Sequence, residues 1–184
     1  MRRRLPRVLS QLEVEQLLGA CESRRDLALV MLMLDTGIRL GEIAALTWGD
    51  IGPDYIRVHD GKSDDRVVSV GPGVKQLLLG LGDGRRIWVG RKGPLTRSGV
   101  QQVYRRLFLR SGLEGRRLGP HLLRHTFGTQ YIVGGGNLFS LKEILGHSSI
   151  STTQIYVTLA RAQVSADHAR HSPVVTWGLL EKFG

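Results

Sequence analysis

The chain has 184 residues, 41% of them hydrophobic, a single cysteine and a net charge of +10. That length suits one domain with a real core, and Cys21 alone excludes both an internal disulfide and a cysteine-rich zinc site. The charge favours a polyanionic partner, nucleic acid first, over the plainer reading of a merely basic protein.

In chain order, Arg2, Arg3, Arg4 and Arg7 form a basic arm over residues 1–9 that either meets phosphates or stays solvated. No apolar stretch follows Met1-Arg2-Arg3-Arg4 to make a secretory leader. Ser10-Gln11-Leu12-Glu13 reads as a capping box opening a helix through about Leu18. Arg24 to Asp35 is a strongly apolar helix, buried on most sides, that ends at Gly37. Its run Leu27–Leu34 is the longest apolar stretch and falls far short of the ~20 residues a bilayer span needs. These features together fit a reducing cytoplasm. Arg39 then starts the short helix LGEIAAL. Glu42, three residues on, is close enough to hold the guanidinium, with an ordinary surface salt bridge as the alternative.

Tyr55–His59 and Arg66–Val70 alternate as strands around Asp60-Gly61, a hairpin with Lys62 at its tip. Pro72–Leu81 reads as a helix and Ile87–Val89 as a short strand. Between Arg85 and Arg117 stand ten Arg or Lys and one acid, Glu114, which concentrates the charge on one face. Thr96–Arg110 within it is an amphipathic helix. Val100, Val103, Leu107 and Phe108 make its apolar stripe, while Arg97, Gln101, Arg105 and Arg110 look out. Such a face suits a DNA groove, where Arg reaches G and Gln reaches A, or is simply solvated.

Pro120 fits the first turn of a helix. His121 and Arg124 share a face of that helix, and Leu123, Thr126 and Phe127 turn toward a core. Ser140-Leu141-Lys142-Glu143 is read as a second capping box, its helix stopping at Gly146 and holding His147 at a turn. Ser149 or Ser151 can cap the next helix, with Tyr156 one to two turns in. One guanidinium, two imidazoles and a phenol so spaced look like a site for phosphate. The helix is expected to run through about Arg161, with a further helical stretch to about His171. Residues 172–184 are apolar for a free tail and either dock on a neighbouring protomer or fold back.

His121-Leu122-Leu123-Arg124-His125, then Leu145-Gly146-His147, then Tyr156 nine residues after that histidine resemble the signature of the tyrosine recombinases, or phage integrases. Thr36-Gly37-Ile38-Arg39-Leu40-Gly41-Glu42-Ile43 resembles that family's first arginine box. The resemblance runs from about Ser10 to about Pro173. It implies a mainly α fold with a small antiparallel β-sheet (α+β) carrying Lys62, a catalytic domain over residues 10–171 and a docking tail over 172–184. The separate helical core-binding domain usual in the family is expected to be absent. Weak, salt-sensitive DNA binding follows from that expectation, as do monomers in free solution unless tails are exchanged.

The resemblance also implies roles. Tyr156 is the nucleophile of a 3′-phosphotyrosyl link, and Arg39 and Arg124 clamp the scissile phosphate. Lys62 is the acid for the leaving 5′-oxygen, His121 handles the tyrosine proton and His147 donates to the phosphate. Glu42 and His125 stand behind them; His125 matches the motif, but its helical position suggests that it points elsewhere. Asp64 and Asp65 replace residues that are more often basic. The partners implied are double-stranded DNA and other protomers, with no membrane, metal or cofactor. The chemistry is consistent: free tyrosine has a pKa near 10, so only roughly one in a thousand is ionised at neutral pH, and something must take its proton or hold its anion. Two other readings remain. One is a non-catalytic DNA-binding module of the same fold. The other is a metal-dependent phosphodiester hydrolase using His121, His125 and His147, against which no glutamate lies between the first two.

Overall fold

A computed structural model describes residues 7–59, 65–82, 86–115 and 118–159. Among these, eight α-helices and two small antiparallel sheets form the fold, so the mainly α architecture with minor β holds. Helix α1 (Gln11–Gly19) opens on the capping box read in the sequence, Ser10 and Glu13 each satisfying the other's backbone N–H. Helix α2 (Arg24–Thr36) is the hub. Ala28, Leu29, Val30, Leu32 and Met33 are all buried, and the helix packs against α4 (Pro72–Leu79), α5 (Arg97–Arg110) and α6 (Pro120–Val133).

Gly37 ends α2 with φ +61°, the left-handed cap that glycine adopts at least cost. Any Cβ there would also run into the Phe127 ring. The chain turns at that point into α3 (Leu40–Ala45), which packs on α5. Strands β1 (Tyr55–Val58) and β2 (Arg66–Ser69) pair antiparallel, with Ile56 opposite Val68 and both buried, as the hairpin reading expected. The tip of that hairpin, Lys62 included, lies outside the described residues, and so do the arm up to Pro6 and everything after Leu159.

Two expectations are corrected. Ile87–Val89 does not form a strand. The Trp88 indole is buried and donates to Ile43 O at 2.5 Å, which draws the segment toward α3. Pairing shifts to β3 (Val89–Gly90) with β4 (Gly93–Pro94). Nor is Ser140 a cap: α7 runs Leu138–Leu145, and Asn137 Oδ1 accepts from the N–H groups of Phe139 and Ser140. Asn137 comes first after the Gly134–Gly136 stretch, and an Asn cap there, worth about 1 kcal/mol, leaves Ser140 within the first turn.

Helix α8 (Ile150–Leu159) closes the fold against α6 and α7. Ser149 Oγ accepts from Ser151 N–H at its start. Leu141, Leu145, Phe127, Ile132 and Tyr156 make a small apolar cluster there, beside the main core on α2. Among the described residues no helix is long and apolar enough to cross a membrane.

Candidate active site

The site is built on the C-terminal end of α7. An α-helix leaves its last carbonyls without intrahelical partners and carries partial negative charge at that end. Here three successive carbonyls each take one arginine. Ile144 O accepts from Arg66 Nε at 3.0 Å, Leu145 O from Arg124 Nη2 at 2.7 Å and Gly146 O from Arg39 Nη2 at 2.6 Å. Residues from the N-cap of α3, from β2 and from α6, far apart in sequence, thus converge on one corner.

Each arginine has a second anchor. Arg124 is only 6% exposed and also donates through Nη1 to Gly37 O at 2.5 Å, the carbonyl of the residue that caps α2. Burial, then the neighbouring charge of Arg39, pushes its pKa down to about 10, which leaves it a cation at neutral pH. Arg39 donates to Glu42 Oε1 at 2.8 Å, and its backbone N–H to Glu42 Oε2 at 2.6 Å. Glu42 is therefore a buried anchor rather than half of a surface salt bridge. Burial alone would raise its carboxyl pKa, but the bonds from Arg66 and Arg39 outweigh that and hold it below the usual range.

Gly146 turns the chain with φ +62°, as the sequence led one to expect, and delivers His147 to the same corner. His147 Nε2 lies 3.2 Å from Arg124 Nη2, and Nδ1 lies 2.9 Å from Thr153 Oγ1. Arginine can only donate, so Nε2 accepts and the ring proton sits on Nδ1. The Thr153 hydroxyl can reverse, which allows the other tautomer when an anion displaces the guanidinium. Burial, then the charges of Arg124 and Arg39, pushes His147 down to about 4, so the ring is neutral at physiological pH.

Tyr156, on α8, is 1% exposed, and its ring is nearly parallel to that of His147, 7° and 6.4 Å apart. A Cβ on Gly128 would lie 2.7–2.9 Å from the phenol, so that glycine makes the berth for the ring. The hydroxyl is 3.3 Å from His125 Nδ1. This departs from the expectation that His125 points elsewhere. His125 and Gly128 are three apart on α6, so a ring lying on one meets the other. Burial, followed by the charges of His121 and Arg124, lowers the pKa of His125; burial raises that of Tyr156, partly offset by Arg124. A neutral imidazole thus faces a neutral phenol. His121, one turn earlier, is exposed.

The other expected residues lie apart from this corner or outside the described chain. Lys62 is not described. Arg97, Gln101 and Arg105 are exposed along α5, Arg97 passing close to Gly41 of α3. Arg110 is held by Glu22 at 2.5 Å and Ala20 O at 2.8 Å, tying α5 to the α1–α2 connection. Among the described residues no three His, Cys, Asp or Glu side chains stand together as metal ligands, so the hydrolase reading lacks its ligand set there. Sequence reasoning missed Arg66 and Thr153. The available signal for Arg66 was its register: it alternates with buried Val68 in β2 and with buried Val70 just beyond it, an unusual place for a cation.

The phage integrase family profile matches residues 7–163. The chain belongs to that family. Tyrosine recombinase XerD of Ralstonia nicotianae is 34% identical over 190 residues, 92% of this chain and 61% of that protein. The crystal structure of XerA recombinase superposes with TM-score 0.78 at 30% identity, covering 92% of this chain and 66% of that one. The catalytic domain of bacteriophage HP1 integrase superposes with TM-score 0.69 at 26% identity, covering 91% and 96%. This phage integrase family chain therefore spans about three-fifths of the length of such curated relatives and nearly all of a catalytic domain.

The depressed histidine gives this integrase-family fold a pH signature. The unfolded chain takes up a proton at His147 as pH falls below about 6.5, the folded chain only near about 4. Stability from His147 is thus present above about 6.5 and lost as pH falls toward about 4. His59, hydrogen-bonded by Asp50 and then Asp65, is shifted up and acts oppositely, its contribution present in acid and lost as pH rises through its raised value. His147→Gln is expected to lose less stability than wild type between about pH 7 and pH 4 in urea melts. Parallel losses in the two proteins would refute this.

Proposed function

We propose that this chain is the catalytic domain of a site-specific DNA recombinase that cleaves and rejoins strands through a tyrosine. The observation that carries the reading is the convergence of Arg39, Arg124 and His147 on the end of α7, with the Tyr156 ring alongside. Two guanidiniums and an imidazole at one point form a receptor for a single phosphate, and guanidiniums match its oxygens bidentately.

The chemistry then follows. The Tyr156 oxygen attacks phosphorus, the bond to the 5′-oxygen breaks, and a 3′-phosphotyrosyl ester conserves the bond energy for religation. Arg39 and Arg124 stabilise the charge that gathers on the five-coordinate phosphorus. His147, in its reversed tautomer, donates to a phosphate oxygen. The tyrosine proton leaves toward the imidazoles of α6, His121 or His125, the latter being the one beside the hydroxyl. Lys62 protonates the departing 5′-oxygen. Charge supplied by guanidiniums makes a metal and any other cofactor unnecessary.

Around this centre the proposed organisation is a basic arm over residues 1–9, a catalytic unit over 10–171 and a docking tail over 172–184. The partners are double-stranded DNA, met partly through Arg97, Gln101 and Arg105, and further protomers that exchange tails. The proposed compartment is the cytoplasm.

The test is a nicked suicide DNA that carries the cognate site, incubated in EDTA. A covalent protein–DNA adduct is the expected product. Cleavage that EDTA abolishes would favour the hydrolase, and binding without any adduct the inert module.

A further inference from the structure

We propose that His125 is the catalytic base for Tyr156, taking the phenolic proton as the oxygen attacks phosphorus. The proposal rests on the functional reading above. It commits the proton to the second histidine of His121-Leu122-Leu123-Arg124-His125, where the family resemblance gives it to the first.

Contacts on three sides fix where the phenol ends. Tyr156 Cε1 and Cζ pass 2.7 and 2.8 Å from where a Gly128 Cβ would stand, so the hydroxyl end of the ring lies on α6. From there the oxygen is 3.3 Å from His125 Nδ1, its hydrogen-bond partner among the described residues. A neutral imidazole with its proton on Nε2 leaves Nδ1 free to accept. The distance is at the loose end for a base, as catalytic bonds commonly are before substrate binds. The neighbours are less suited. His147 stacks on the ring at 6.4 Å, but Thr153 occupies its Nδ1 and Arg124 its Nε2. Arg124 can only donate. His121 is exposed and stands a further turn toward the start of α6.

The surroundings suit a proton that is lent and returned. His125 faces Tyr156 from α8, His121 and Arg124 on its own helix, and His147 at the α7–α8 turn. Burial, then the charges of His121 and Arg124, disfavours its cation; burial also disfavours the phenolate, partly offset by Arg124. A standing phenolate–imidazolium pair is therefore a poor resting state, and the proton moves with the attack rather than before it. The Tyr156 O–H bond breaks as its oxygen bonds phosphorus, and His125 Nδ1 gains the proton. The bond from phosphorus to the 5′-oxygen breaks, and that oxygen takes a proton from the acid of the functional reading. On religation the departing Tyr156 oxygen reclaims its proton from the imidazolium, which restores both groups.

The experiment measures single-turnover adduct formation at saturating suicide DNA, from about pH 5 to about pH 8. It compares wild type, His125→Gln, His125→Ala and His121→Gln, with DNA affinity and melting temperature measured separately. Glutamine can accept the phenol's hydrogen bond but cannot carry its proton away, so it separates holding from base catalysis. His125→Gln is expected to be about 100-fold slower at neutral pH, the lower end of what a general base contributes, with affinity within a few-fold of wild type. Wild type should lose rate in acid, as pH falls below about 6.5 through the lowered value of His125, because the base is then already protonated. That acid limb should vanish in His125→Gln and persist in His121→Gln, which should lose less rate. Free imidazole should restore at least about 10-fold to His125→Ala, the readout if His125→Gln does not fold. A folded His125→Gln at the wild-type rate would overturn the role. So would a slow His125→Gln that keeps the wild-type acid limb, a limb that vanishes in His121→Gln instead, or a His125→Ala that imidazole leaves unchanged. Absence of adduct from wild type itself would refute the functional reading, and the role of His125 with it.

Discussion

Tyr156→Phe is expected to form no covalent adduct, a loss on the order of 10,000-fold or more, which is the scale seen when a covalent nucleophile is removed. The substitution deletes one oxygen from a ring that is otherwise held by packing against Gly128 and His147. Folding and DNA affinity should therefore stay near wild type. The hydroxyl's partner, His125, is half-exposed and can turn to water, so the stability change should be within about 1 kcal/mol. Gel electrophoresis of the suicide reaction, read beside a thermal melt, checks both halves. An adduct from the phenylalanine variant would transfer the nucleophile to another residue and end the assignment.

Arg124→Ala is the second large effect, and it differs in kind because two properties fall together. Adduct formation should drop about 100- to 1,000-fold, since one preorganised cation at the phosphate is gone. Stability should drop as well. Gly37 O and Leu145 O are buried acceptors that depend on this side chain, and each such group left without a donor costs roughly 1–3 kcal/mol. Arg124→Lys should recover little of either, because one ammonium does not span a carbonyl on each side and His147 as well. Loss of activity with an unchanged urea midpoint would show that the two carbonyls find other partners. A wild-type rate of adduct formation in a folded Arg124→Ala protein would remove Arg124 from the chemistry.

The parts of the site legible in the sequence were those written in local spacing. Gly37 and Gly146 announced helix ends through their conformational freedom, and each leads the chain to a residue of the corner, Arg39 or His147. Arg39 with Glu42, and Arg124 within its helix, were readable because three-residue spacing fixes a shared face. Before α7 the Ser140–Glu143 spacing suggested a capping box, but Asn137, three residues earlier, is the cap, so the short pattern misled. The rest depended on contacts over long chain separations. Arg66 meets Glu42 across 24 residues and Ile144 across 78, and no window-sized pattern encodes either. Thr153 is a buried hydroxyl whose value comes only from where His147 is delivered. His125 was misjudged because adjacent helical residues diverge by about 100°; a phenol lying along α6 is wide enough to touch that flank too.

The three carbonyls at the end of α7 have a thermodynamic consequence. Long arginine side chains are normally rich in rotamers, and freezing each to grip a ligand costs up to about 2 kcal/mol. Here the ordering of all three takes place as the polypeptide folds, so under the proposed function an incoming phosphodiester would meet donors that have little disorder left to lose. The same arrangement ties the corner to one helix terminus: a displacement of α7 alone would strip Arg39, Arg66 and Arg124 of one anchor each at once, while Glu42 and Gly37 O kept the others.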